Sequence, residues 1–236
     1  MKAIETEQAL KGNRYPGRGI IMGLSGDGLN AVAAYFIMGR SVNSRNRVFR
    51  EDGRDIRTQI RDPEKLTDPS LILYAPVRQI DGGLIISNGD QTDTIYDYVS
   101  AGRRFEDALR TREYEPDAPN YTPRISAFMR LKGKGLYYVM SILKKNAASG
   151  GCDRFFYQYE RPAPGVGHLI HTYMRDASPL PSFEGEPVPL LLDGGPEETA
   201  GRLWDNLDRE NRISLFVRYI CLETGNARTR IINKYE

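Results

Sequence analysis

Strand candidates follow one another along this chain with only two helices set among them. That order excludes the alternating strand and helix rhythm of a parallel α/β sheet. Residues 17–23, 30–38, 71–77, 83–87, 125–131, 136–143, 155–159, 169–174, 213–222 and 228–233 are short runs rich in β-branched and aromatic side chains, separated by glycine-bearing turns. Residues 94–112 read as a helix, because Ile95, Val99, Gly102, Phe105 and Leu109 recur on one apolar face. A second helix starts at Gly194-Gly195-Pro196-Glu197-Glu198, with proline at its first position and acids in its first turn, and Ala200, Leu203, Trp204 and Leu207 form its apolar face. The result is an α+β architecture of mostly antiparallel sheets covered by helices. Residues 17–236 read as a single domain, and 1–16 as a mostly polar extension ending at Tyr15-Pro16.

The 236 residues carry a formal charge of only +2, which gives no electrostatic reason to expect nucleic acid as a partner. The basic stretch at 124–134 is short and lacks a recognisable nucleic-acid module. Arginine outnumbers lysine 25 to 8, and its planar fork suits phosphate and carboxylate, so a small anionic ligand is in keeping with the composition. No apolar run approaches membrane-spanning length and the first residues have no signal-peptide core, so no membrane partner and a cytoplasmic location are expected. Cys152 and Cys221 belong to no CxxC pair and read as buried thiols. His168 and His171 lie three apart in a strand and face opposite sides, so no shared metal site is expected.

The stretch at 84–95 is the most informative for chemistry. Leu84-Ile85-Ile86 is a buried-strand run, Asn88-Gly89 a turn, and Thr92-Asp93-Thr94 offers caps for the helix that follows. A strand that breaks through a polar turn into a helix points backbone N–H groups and short polar side chains into one concavity. The glycine turn at 24–28 carries no GKS or GKT ending and leads into a strand, which does not make a nucleotide loop. Residues 40–47 form a polar segment with three arginines, and residues 50–69 read as a charged surface loop. Prolines 116, 119 and 123 break the segment 114–124 into a loop between helix and strand, where functional residues are often held.

Ile86-Ser87-Asn88-Gly89-Asp90-Gln91-Thr92-Asp93-Thr94-Ile95, followed by Tyr114-Glu115 and Thr122-Pro123-Arg124-Ile125, resembles the archaeal-type IMP cyclohydrolases, as do Arg40-Ser41, Arg45 and Tyr74 ahead of it. The resemblance covers roughly residues 17–130. It implies an Ntn-hydrolase-like fold, a four-layer αββα sandwich, and closure of 5-formamidoimidazole-4-carboxamide ribonucleotide to inosine monophosphate and water, with no cofactor and no metal. Catalytic roles fall by resemblance on Arg45, Tyr74 and Glu115. Nucleotide contacts fall on Arg40, Ser41, Ser87, Asn88, Gly89, Thr92, Asp93, Thr122 and Arg124, and the family's habit of assembly implies a homo-oligomer. Asn43-Ser44 and Asp90-Gln91 stand where the family pattern has Pro-Asn and Ser-His. Two alternatives remain open: a non-catalytic purine-nucleotide-binding module, and an amidohydrolase on the same scaffold. The latter would need a nucleophile arrangement that the residues do not offer.

Overall fold

Side chains alternate along the strands between two separate apolar cores, and this alternation stacks the layers. The computed structural model describes residues 2–65, 73–133 and 135–236. One sheet contains β1 (Arg18–Leu24), β2 (Asn30–Met38), β10 (Val166–His171), β11 (Val188–Leu191), β12 (Arg212–Cys221) and β13 (Ala227–Asn233), in the spatial order β11-β10-β1-β2-β12-β13. The other contains β3 (Arg47–Asp52), β4 (Asp55–Ile60), β5 (Val77–Ile80), β6 (Gly83–Ser87), β7 (Arg124–Lys132), β8 (Gly135–Lys145) and β9 (Cys152–Tyr159), lying side by side in chain order. Every pairing in both sheets is antiparallel.

Ile20, Met22, Ala33, Tyr35 and Ile37 of the six-stranded sheet meet Leu84, Ile86, Ile125, Ala127 and Met129 of the seven-stranded sheet in a core between the two. The intervening residues point outward. Ile21, Val32, Ala34 and Phe36 pack beneath Leu10 of α1 (Thr6–Leu10) and Ala200 and Leu203 of α5 (Pro196–Asn206). On the opposite side Ile85, Phe128 and Val139 lie under Ile95 and Val99 of α3 (Gln91–Ser100) and Phe105 and Leu109 of α4 (Phe105–Arg110). A single turn, α2 (Val42–Arg45), joins the two sheets between β2 and β3. The chain is therefore a four-layer αββα sandwich, as expected. No helix among the described residues is long and apolar enough to cross a membrane.

Several local expectations are corrected. The single helix over 94–112 is two helices, because Gly102 adopts φ +72°, a left-handed conformation that ends α3. α3 begins at Gln91, so Thr92, Asp93 and Thr94 lie inside its first turn and do not cap it. The loop expected over 50–69 contains most of the β3–β4 hairpin, whose outward residues Arg50, Glu51 and Arg57 are exposed while Ile56 and Thr58 turn inward. The strand expected over 71–77 falls partly outside the described residues, and β5 begins only at Val77. Cys152 and Cys221 are half-buried, and both are free. Trp204 is also only half-buried, with the Arg212 guanidinium 4.5 Å from its ring centre. The N-terminal segment lies against the six-stranded sheet, where Ile4 bridges to Leu190 and Leu10 is buried.

Candidate active site

Charged residues set in phase with core residues converge at one end of the space between the sheets. Arg18 opens β1 two residues before Ile20, and Arg47 opens β3 two residues before Phe49, so both guanidiniums turn inward with the core. Arg47 is 1% exposed; its Nε donates to the Ser44 carbonyl at 2.9 Å, and its Nη1 has no hydrogen-bond partner among the described residues. Arg18 Nε is likewise buried without a partner among them. Above these two guanidiniums opens a cavity of about 240 Å³, walled by Tyr15, Asp117, Thr122 and Tyr173 and rimmed by Arg40, Ser41 and Ser44. This approaches the lower end of small-molecule sites, about 300 Å³.

Glu115 joins the cluster from the proline-broken loop. Its backbone N–H donates to the Thr122 carbonyl at 2.9 Å, which closes the loop on itself. Thr122 is held in turn: its N–H donates to Asp117 Oδ1 at 2.6 Å, and its hydroxyl lies 2.5 Å from the Tyr173 hydroxyl. The Glu115 carboxyl is 2% exposed and lies 4.0 Å from Arg18 Nη2. Burial pushes it above the ordinary carboxyl range, against the pull of Arg18 and Arg124. Burial also opposes the charge of Arg18, but Glu115 and the surrounding phenols outweigh it and hold that guanidinium well above its usual value. Burial lowers Arg47, and repulsion from Arg18 adds to the effect.

Two phenols lie close to these arginines. Tyr35, on β2, is fully buried, and its hydroxyl shares a 2.8 Å hydrogen bond with that of Tyr74. Tyr74 lies within electrostatic range of both Arg18 and Arg47. Two buried cations with unused donors lining a small cavity, with a raised-pKa carboxyl and a hydrogen-bonded phenol pair close behind them, are the parts needed for proton transfer and oxyanion stabilisation.

Of the residues expected to be catalytic, Glu115 and Tyr74 both lie within electrostatic range of Arg18. Arg45, expected beside them, is engaged elsewhere. Its Nε donates to the Gly39 carbonyl at 2.9 Å, its Nη2 to Asn211 Oδ1 at 3.1 Å, and Glu210 lies 3.8 Å away. Two residues further on, Arg47 fills the inward position. Arg40, Ser41 and Thr122 line the cavity.

Ser87, Asn88 and Thr92 are buried and engaged internally, so they build the bend and do not line the cavity. Asn88 Nδ2 donates to the Pro123 carbonyl and its Oδ1 accepts from Ile125 N–H, both at 2.9 Å, which pins β7 to the bend. Gly89 lies against the acid, since a Cβ there would sit 3.5 Å from Glu115 Oε1. Arg124 Nη1 donates to Gln91 Oε1 at 2.6 Å and Asp90 Oδ1 at 2.7 Å, while its Nε is buried with no partner among the described residues. Asp93 is exposed and pairs with Arg78 at 2.9 Å, so it is not a pocket residue. The two histidines are held apart as expected: His168 Nδ1 lies 2.6 Å from the Tyr138 hydroxyl, and His171 Nδ1 lies 2.9 Å from the Tyr173 carbonyl.

A family model described as IMP cyclohydrolase-like protein matches residues 15–225. The chain belongs to that family. It is also 28% identical, over 196 residues, to the IMP cyclohydrolase of Methanopyrus kandleri, an alignment spanning 77% of this chain and 96% of the relative. Within this member of the IMP cyclohydrolase-like family, the residues not singled out from sequence are Arg18, Arg47, Tyr35 and Tyr173. For the first three the signal was present: each holds an inward phase of a strand whose other inward residues are apolar. Tyr173 follows the end of β10 and carries no such signal.

Proposed function

We propose that this chain closes 5-formamidoimidazole-4-carboxamide ribonucleotide to inosine monophosphate and water, with the reacting groups held above Arg18, Arg47 and Glu115. The carboxamide nitrogen attacks the neighbouring formyl carbon, so both reactants are already on one ring. Fixing their rotamers removes an entropic part of the barrier. Glu115 takes a proton from the carboxamide nitrogen as the carbon–nitrogen bond forms. Arg47 and Arg18 stabilise the charge that develops on the formyl oxygen. In the second stage Glu115 returns its proton to the oxyanion, which becomes a hydroxyl. Tyr74, steadied by Tyr35, then protonates that hydroxyl as the carbon–oxygen bond breaks and water leaves, and the proton given up by the formamido nitrogen restores the phenol.

Arg40, Ser41 and Ser44 are suited to the phosphate at the rim, and Arg124 to the ring or ribose side. Asp90 and Gln91 serve as the carboxylate and amide that orient Arg124. The observation that supports this reading best is the buried Glu115 carboxyl 4.0 Å from Arg18, an arginine that lines the cavity, in a chain of this family. A homo-oligomeric, cytoplasmic enzyme belongs to the same proposal, and sedimentation of the purified chain measures the first part.

The test is to incubate the full chain with the formamido ribonucleotide and follow inosine monophosphate by absorbance, with a thermal shift against that product in parallel. Product formation that is lost in Arg47→Leu supports the assignment. Binding without product would identify a nucleotide-binding module, and binding of neither nucleotide would discard the proposal.

A further inference from the structure

A second cavity, of about 710 Å³, lies on the outer face of the seven-stranded sheet, separated from the candidate active site by the sheet itself. It exists because the helical layer is interrupted. α3 stops at Ser100, Gly102 turns the chain, and α4 begins at Phe105, leaving one end of two cross-strand rows open. The rows are Phe128, Val139 and Gln158, which are register partners across β7, β8 and β9, and Arg130 with Tyr137. The Phe105 and Phe128 rings stack at 6.4 Å to make the floor.

The polar groups converge on that floor. Glu106 is 7% exposed, with Oε1 accepting from Gln158 Nε2 at 2.7 Å and Oε2 from Arg104 Nε at 3.3 Å. Burial acts to raise this carboxyl, but the backbone and Arg104 outweigh it and keep the group ionised. Each oxygen retains acceptor capacity. Around the mouth, Arg103 and Arg130 are exposed and have no carboxylate partner among the described residues. Their guanidiniums lie 3.6 Å from the Tyr98 ring centre and 5.5 Å from that of Phe128.

We propose that this cavity binds a nucleotide. The base lies on Phe105, Phe128 and Val139 and donates its N–H groups to Glu106, while Arg103 and Arg130 hold the phosphates. The floor strands β7 and β8 are paired on both sides, and β9, which brings Gln158, is the sheet's last strand; the groups named here lie on the face of the sheet and not along its free edge. The inference is independent of the cyclisation chemistry.

The test is calorimetric titration of the full chain with ATP, GTP and CTP, with inorganic pyrophosphate as the anion control. The expected result is one saturable site for at least one of these nucleotides, unchanged in Arg47→Leu. In the double variant Arg103→Glu/Arg130→Glu that site weakens by at least about tenfold, two charge-assisted contacts being lost and reversed. Both arginines are exposed, so the double variant should keep the wild-type melting temperature. Its KM for the formamido ribonucleotide should stay within about twofold of wild type, as no substrate contact is touched. Four results would overturn the proposal: no saturable binding by any of the three, loss of the site in Arg47→Leu, pyrophosphate binding as tightly as the nucleotides, or a double variant that changes the sedimenting mass while binding nucleotide normally.

Discussion

Arg18 and Glu115 meet at 4.0 Å beneath the candidate active site, although one opens the first strand of the six-stranded sheet and the other sits in a loop leading into the seven-stranded sheet. The contact ties the chemistry to the docking of the two sheets. Glu115 is buried beside an arginine that is itself short of partners, so each group depends on the other to remain charged in a poorly solvated place.

Arg47 and Arg45 make opposite predictions. Arg47→Leu should lower kcat by about 10²- to 10³-fold, the range for a removed oxyanion donor. Arg45→Leu should leave turnover within a few-fold and act on stability, because it loses hydrogen bonds to Gly39 and Asn211. Steady-state kinetics on the two variants, with melting temperatures, separates them.

The pH dependence follows from Glu115. A general base must be deprotonated, and burial raises this carboxyl above its ordinary value of about 4.3. The rate should therefore fall on acidification through a pKa displaced upward from that value, and stay high above it. Glu115→Gln should lower the plateau and remove this limb from the kcat/KM profile.

Tyr35→Phe removes the hydroxyl that holds Tyr74. One neutral hydrogen bond is worth roughly 0.5–1.5 kcal/mol, so kcat should drop by about two- to tenfold with KM nearly unchanged. Tyr74→Phe should fall further. Equal losses in the two variants would assign the proton delivery to the pair as a unit.

Gly89→Ala places a Cβ 2.7 Å from both Arg124 Nη1 and Gln91 Oε1. Both atoms are ends of flexible side chains, so the chain should fold while Arg124 is pushed from its seat. KM for the formamido ribonucleotide should rise. A variant with wild-type KM would remove Arg124 from the binding site.

Leu10→Ala tests the anchoring of the N-terminal segment. Leu10 is 1% exposed under α5, and such a truncation costs about 2–5 kcal/mol. Denaturant unfolding should show a lower midpoint with turnover at low temperature preserved.

The layers were legible because period-two alternation of apolar residues is strong on both faces of the central strands, as at Ile20, Ile21 and Met22. The hairpin of β3 and β4 was obscured by its position. β3 is an edge strand, and its exposed charges, Arg50, Glu51 and Asp52, blunt pairing with other chains while giving the segment a loop's composition. The break in the long helix was hidden because Gly102 falls in step with the apolar stripe, so spacing alone could not distinguish a small packing residue from a stop. At the candidate site, motif resemblance pointed to Glu115, Tyr74 and Arg45, whereas the inward-facing arginine of this segment is Arg47. Strand phase, set by Phe49, turns Arg47 inward instead.

The seven-stranded sheet joins only neighbours in the chain, from Arg47 to Tyr159, whereas β2 pairs with β12, whose first residue lies beyond position 200. Local pairings close quickly and distant ones slowly. As the ribosome delivers this polypeptide, the meander can zip up hairpin by hairpin while its companion sheet still awaits the C-terminal ribbon. The candidate active site, lying between them, is among the last features of the molecule to come into being.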